Sequence, residues 1–195
     1  MFYFIGTDDF KKSALISKLV SLWYEKTRNH MGRTTIQKLC YFSESIGVPL
    51  SYKFSVYKYG PYSQELFEQI DDMVIYGFLI DKHSESDHQD KISLYSITEL
   101  AEELLTSYND FLTTYEERLC LLVEYFKDMT LRELELLSTM HYYYTANNGY
   151  YRGVDKEEIK KLTIDRVIKA KKDEFEKNEI DNAYYKIVET APAFC

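Results

Sequence analysis

The 195-residue sequence predicts a mostly helical α+β fold. Three observations carry this. Apolar residues recur at helical spacing through the first 46 positions. At residues 49–59, 78–80 and 92–97 the pattern switches to short runs dense in aromatic and β-branched residues. The second half returns to helical spacing throughout.

Each element follows in order. Residues 8–28 place Leu15, Ile16, Leu19, Val20, Leu22 and Trp23 on one stripe, with Thr7 or Asp8 as the expected N-cap. Asn29 to Gly32 break this helix. Residues 34–46 set Ile36, Leu39, Cys40 and Phe42 or Ser43 on one face, and Gly47 stops them. Residues 49–59, PLSYKFSVYKY, alternate like a strand. Tyr57 and Tyr59 are expected on one face of it, with Phe54, Val56 and Lys58 on the other. From Pro61 a helix face runs through Leu66, Phe67, Ile70, Met73 and Val74, and Gly77 ends it. Residues 78–80 and 92–97 are two strand-like runs around a wholly polar segment, 81–91, which makes a hairpin with a long tip. Thr98 caps a helix whose buried side is Leu100, Ala101, Leu104 and Leu105. Helices over 110–127, 130–146, 155–175 and 179–189 follow. Helix, helix, strand, helix, hairpin, helix is the order of a winged helix-turn-helix. The expected organisation is therefore a winged-helix-like domain over residues 1–107, with a small β-hairpin wing, and a helical extension packed on it over 108–195.

The junction Tyr57-Lys58-Tyr59-Gly60-Pro61-Tyr62-Ser63 invites two readings. Pro61 suits the first position of a helix, where its missing N–H costs nothing, and Gly60 permits a sharp turn before it. That alone accounts for the Gly-Pro pair as a structural turn. The tyrosines, being amphipathic, equally suit contact with a partner.

Charge narrows the function. Residues 1–61 hold nine Lys/Arg and four Asp/Glu, residues 62–128 four and sixteen, and residues 129–195 eleven and twelve, for a net charge of −8. The helix that would enter a DNA groove in a winged helix carries Glu65, Glu68, Asp71 and Asp72, with no Lys or Arg. Its field would repel phosphate. Gln64 and Gln69 could read bases, but in the wrong surroundings.

At these residues the stretch from Gly32 to Leu79 resembles the Panacea family, the SocA-like antitoxin domain, in its YwgA-type bacterial and phage-associated branch. The resemblance lies in Ile36-Gln37-Lys38-Leu39-Cys40-Tyr41, in Tyr59-Gly60-Pro61-Tyr62-Ser63 with Leu66, and in Gly77-Phe78-Leu79. Tyr95 to Leu105 is similar to the segment that leaves the wing, with Ala101 where the family often has Gly, and Leu131 to Tyr144 is similar to the branch's helical extension. The resemblance implies a winged-helix-like domain that works by binding a protein, either neutralising a toxin or presenting one to a protease.

The expected function is thus a non-catalytic antitoxin or adaptor in the cytoplasm of a bacterium or phage-infected cell. Its partner would be a protein, such as a basic, nucleic-acid-targeting toxin, by charge complementarity. The candidate contacts are Tyr57, Tyr59, Tyr62, Gln64, Glu65, Glu68 and Asp72. The alternative is a DNA-binding transcriptional or phage regulator using Arg33, Lys38 and the basic run 160–172, with Lys160, Lys161, Arg166, Lys169 and Lys172. That run equally reads as the solvated face of a helix whose apolar side is Leu162, Ile164, Val167 and Ile168. A structural or host-takeover phage protein is a third reading, and a homodimer stays open. A second aromatic cluster, His141 to Tyr144 with Tyr150 and Tyr151, is either a binding surface or a helix end stopped by Asn147, Asn148 and Gly149.

Catalysis finds no support in the sequence. It holds no Gly-rich phosphate loop, nucleophile elbow or HExxH motif. His83, Glu85, Asp87 and His88 share a polar tip with no scaffold around them for a metal, so no cofactor or metal is expected. Cys40, Cys120 and Cys195 lie far apart. Cys40 and Cys120 read as core residues of a reducing compartment. No run approaches the roughly 18 apolar residues of a membrane span.

Overall fold

The computed structural model describes residues 6–84, 92–151 and 153–194. They form eight α-helices and five short strands in a mostly helical α+β arrangement. The chain packs into two compact units. One comprises Met1–Lys53 and Ser63–Asp128, the other Phe54–Tyr62 and Met129–Cys195. The division therefore does not fall at residue 107: the first helix beyond it belongs to the first unit, and the 54–62 segment to the second.

In the first unit, α1 (Thr7–Thr27) is the central element. It packs on α2 (Arg33–Ser45), α4 (Glu99–Ser107) and α5 (Asn109–Phe126), with Leu15, Ile16, Leu19, Val20 and Leu22 all buried. Its N-cap is Gly6 rather than Thr7 or Asp8, and the Asp9 carboxylate accepts the Gly6 N–H at 3.2 Å. The expected faces of α2 and α4 hold, except that Leu100 lies 44% exposed and Leu105 half-buried. Strands β1 (Met31–Gly32), β4 (Leu79–Ser84) and β5 (Ile92–Ile97) form an antiparallel sheet of order β1-β5-β4, pairing Met31 with Tyr95 and Leu79 with Ile97. Thr98 caps α4, its hydroxyl accepting the Ala101 N–H at 3.2 Å. Cys40 is fully buried and Cys120 half-buried.

Helix α3 (Gln64–Ile75) starts where a buried side chain fixes the chain. Gln37 donates from Nε2 to the Ser63 carbonyl and accepts the Ser63 N–H at Oε1, both at 2.9 Å. The Ser63 hydroxyl then accepts the Leu66 N–H at 3.3 Å as the N-cap. Gln37→Ala strips both buried backbone groups of this partner, and an unmade buried hydrogen bond is costly. The variant is expected to lose about 2 kcal/mol, read as a lower urea midpoint with an unchanged slope.

In the second unit, β2 (Ser55–Tyr57) and β3 (Gly60–Tyr62) form a hairpin that pairs Val56 with Pro61 and Tyr57 with Gly60. Pro61 is thus a strand residue and not the first residue of a helix, and the turn is Lys58-Tyr59. Strand β3 packs on α6 (Leu131–Tyr150), which also packs on α7 (Lys156–Lys171) and α8 (Lys177–Phe194). A reciprocal capping box of Thr130 and Glu133 starts α6. The helix runs straight through Asn147, Asn148 and Gly149, which the sequence reads as a stop. Asn147 is fully buried and donates to the Thr163 hydroxyl at 2.9 Å, a tertiary bond that outweighs local propensity. Helix α7 ends at Lys171 in a short 3₁₀ turn, Lys172–Glu174. Its buried row is Ile159, Thr163, Val167 and Lys171, one residue every four; of the expected Leu162, Ile164, Val167 and Ile168, only Val167 belongs to it. No helix among the described residues is long and apolar enough to cross a membrane.

Candidate functional site

The sequence-predicted contacts divide between the units: Gln64, Glu65, Glu68 and Asp72 in the first, Tyr57, Tyr59 and Tyr62 in the second.

Helix α3 turns Leu66, Ile70 and Met73 inward. Glu65, Glu68, Asp72 and the 76%-exposed Ile75 therefore share the outer face, at spacings of three and four residues. Gln64 is exposed and donates to Glu68 at 2.9 Å. The fourth carboxylate, Asp71, is engaged in the fold: it accepts from Arg33 Nη2 at 2.6 Å, while Arg33 Nε donates to the Tyr95 hydroxyl at 2.7 Å. The guanidinium lies 4.3 Å from the Phe67 ring centroid. Burial works against its charge, but the bonds to Asp71 and Tyr95 prevail and the Arg33 pKa rises. Lys38 is 1% exposed. Both residues of the N-terminal half of the basic set are thus interior or engaged groups, which corrects their expected role as phosphate contacts. The first unit holds twelve Lys/Arg and twenty Asp/Glu and carries the whole −8, while the second holds twelve of each.

In the second unit Tyr57 is 63% and Tyr59 51% exposed. The face partner of Tyr57 is Tyr62 and not Tyr59: their rings meet edge to face at 5.3 Å, as diagonal neighbours across a hairpin do. Tyr59 sits in the turn with Lys58 Nζ 5.1 Å from its ring centroid. Gly60 has φ +88°, and a Cβ there would meet Thr139 Oγ1 at 2.7 Å and the Glu135 carbonyl at 3.2 Å. Lys171, 1% exposed, donates to the Lys58 carbonyl at 2.8 Å, with Glu135 Oε2 at 3.8 Å. Burial pulls its pKa down, and Glu135 and Glu174 offset part of that.

The remaining basic candidates differ among themselves. Lys160 donates to the Tyr185 hydroxyl at 2.7 Å, which raises its pKa. Lys161 and Lys172 are exposed. Arg166 and Lys169 line an open groove of about 560 Å³ with Val56, Tyr57, Lys58 and Tyr143. The structure therefore brings one hairpin tyrosine together with two cations from the basic run. Sequence reasoning names Tyr143 only within the aromatic cluster and misses Lys171. Tyr143 stands in a visible aromatic cluster, but nothing local places it beside α7, and Lys171 reads as one more charge in a solvated run. Of the metal candidates, Glu85, Asp87 and His88 lie outside the described residues, as do the side chain of His83 and Cys195. Among the described residues, no group of three His, Cys, Asp or Glu side chains is placed to hold a metal ion.

A 49-residue stretch, 25% of this chain, is 39% identical to the uncharacterised protein YwgA of Bacillus subtilis (strain 168) and spans 30% of that protein's length. The link is distant and partial. No family model matches the chain.

Proposed function

We propose that this chain is a non-catalytic protein-binding module of the Panacea type, an antitoxin or adaptor acting on a basic partner in a bacterial or phage-infected cell. On this reading the first unit is a winged helix. The order α1-β1-α2-α3-β4-β5 and the sheet order β1-β5-β4 support it, with the β4–β5 hairpin as the wing and α3 in the recognition position. The observation that carries the function is the outer face of α3. It presents Glu65, Glu68 and Asp72 around an exposed Ile75, a hydrophobic contact set in an acidic field. Such a face repels phosphate and complements a basic protein surface.

The test is affinity capture from bacterial lysate with and without nuclease, using the wild type and the triple variant Glu65→Lys/Glu68→Lys/Asp72→Lys. All three side chains are exposed, so the variant is expected to fold, with an unchanged circular dichroism spectrum. One basic protein should be held stoichiometrically after nuclease and lost by at least about tenfold in the variant, since each desolvated charge partner costs a few kcal/mol. Equal capture by both proteins removes α3 as the contact surface.

A further inference from the structure

We propose that the groove of the second unit binds a nucleotide unit, its base stacked on Tyr57 or Tyr143 and its phosphate held by Arg166 and Lys169. The groove's volume of about 560 Å³ falls within the range of small-molecule sites, roughly 300–1,000 Å³. Its lining combines two kinds of group. Arg166 and Lys169 sit three positions apart on α7, close enough for both to reach one phosphate. Among the described residues, neither side chain is taken up by an ion pair or a hydrogen bond. That contrasts with Lys160 and Lys171 on the same helix, which are bound to Tyr185 and to the Lys58 carbonyl. The apolar part is aromatic: Tyr57 and the half-buried Tyr143 line the groove.

Cation plus open tyrosine ring is the composition that holds nucleotides without reading sequence. The ring stacks on any base, and the cations follow the phosphate. A carboxylate peptide would satisfy the cations and leave the tyrosines idle. A duplex keeps its bases stacked inside, out of reach of a concave wall. The ligand class is therefore a free nucleotide or one residue of a single strand. The proposal is independent of the protein-binding reading, which concerns α3 in the other unit.

The experiment titrates the full chain with adenosine 5′-monophosphate, a single-stranded oligothymidylate of about ten nucleotides, inorganic phosphate and a polyglutamate peptide, read by calorimetry and tyrosine fluorescence. Binding is expected to fall at least about tenfold in Tyr57→Ala and in Lys169→Glu, both exposed positions whose variants should stay folded with an unchanged circular dichroism spectrum, and to survive in Tyr57→Phe. One neutralised phosphate gives a log–log salt slope near −0.7 on a single strand. Binding of the mononucleotide assigns a free nucleotide, and binding of the strand alone assigns single-stranded nucleic acid. The proposal is overturned if neither binds at about 1 mM, if the variants bind as the wild type does, or if inorganic phosphate or the acidic peptide binds as tightly.

Discussion

Lys171→Met is expected to destabilise the second unit by about 3–5 kcal/mol, the cost of breaking a buried charged interaction from one side. Methionine keeps the volume of the stem but cannot donate to the Lys58 carbonyl, 2.8 Å from Nζ in the wild type. That carbonyl belongs to the hairpin turn, so the loss falls on the register of β2 and β3 as well as on α7. Urea unfolding followed by tyrosine fluorescence checks the magnitude. A loss under about 1 kcal/mol would mean that water replaces the ammonium easily and that the lysine is not a structural pin. The pH dependence gives a second signature. The native Lys171 pKa lies below the unfolded value of 10.5, so between the two the unfolded chain binds more protons and stability rises with pH. This contribution is absent from Lys171→Met. The gap between the two proteins should therefore widen as pH climbs toward 10.5.

Gly60→Ala should cost about 3 kcal/mol from two additive sources. An L side chain at φ +88° carries about 1–2 kcal/mol of strain. The new Cβ would also meet Thr139 Oγ1 at 2.7 Å and the Glu135 carbonyl at 3.2 Å, and backbone does not yield cheaply. The double variant Gly60→Ala/Thr139→Ser keeps the hydroxyl but drops a methyl, giving the side chain room to turn. It should recover part of the clash and none of the strain. Gly153→Ala is the control: it has the same sign of φ, +87°, but no atom within 4 Å, so it should pay only the strain. Equal costs at the two positions would show that the packing of Gly60 on α6 contributes nothing.

Much of the fold is legible in the sequence because its helices bury regular stripes. Leu15 to Leu22 and Ile36 to Phe42 announce themselves by spacing, and Thr98 by its position before Glu99. The failures are places where a tertiary contact overrides a local signal. Gly60-Pro61 has the chemistry of a helix start, yet the cap is Ser63, two residues on, because Gln37 grips its backbone. Asn147-Asn148-Gly149 has the chemistry of a helix stop, yet Asn147 is buried against Thr163. The candidate site was legible in part. The exposure of Glu65, Glu68 and Asp72 follows from amphipathicity and that of Tyr57 from alternation, whereas Tyr59 is exposed because it sits in the turn. The burial of Lys38 and Lys171 does not, since a lysine reads as solvated until its neighbours in space are known.

The hairpin leaves the ribosome long before the helices it belongs with. Lys58 and Lys171 are 113 residues apart in the chain, and at about 5–20 residues per second the turn waits roughly 6–23 s for the ammonium that holds it. During that wait two short strands with exposed tyrosines have no surface to lie on, and an isolated hairpin is at best marginally stable. The nascent chain therefore passes through an interval in which its earliest β-structure is open to a chaperone, or to the hairpin of a neighbouring nascent copy. A ribosome stalled anywhere before α7 would hold it there indefinitely.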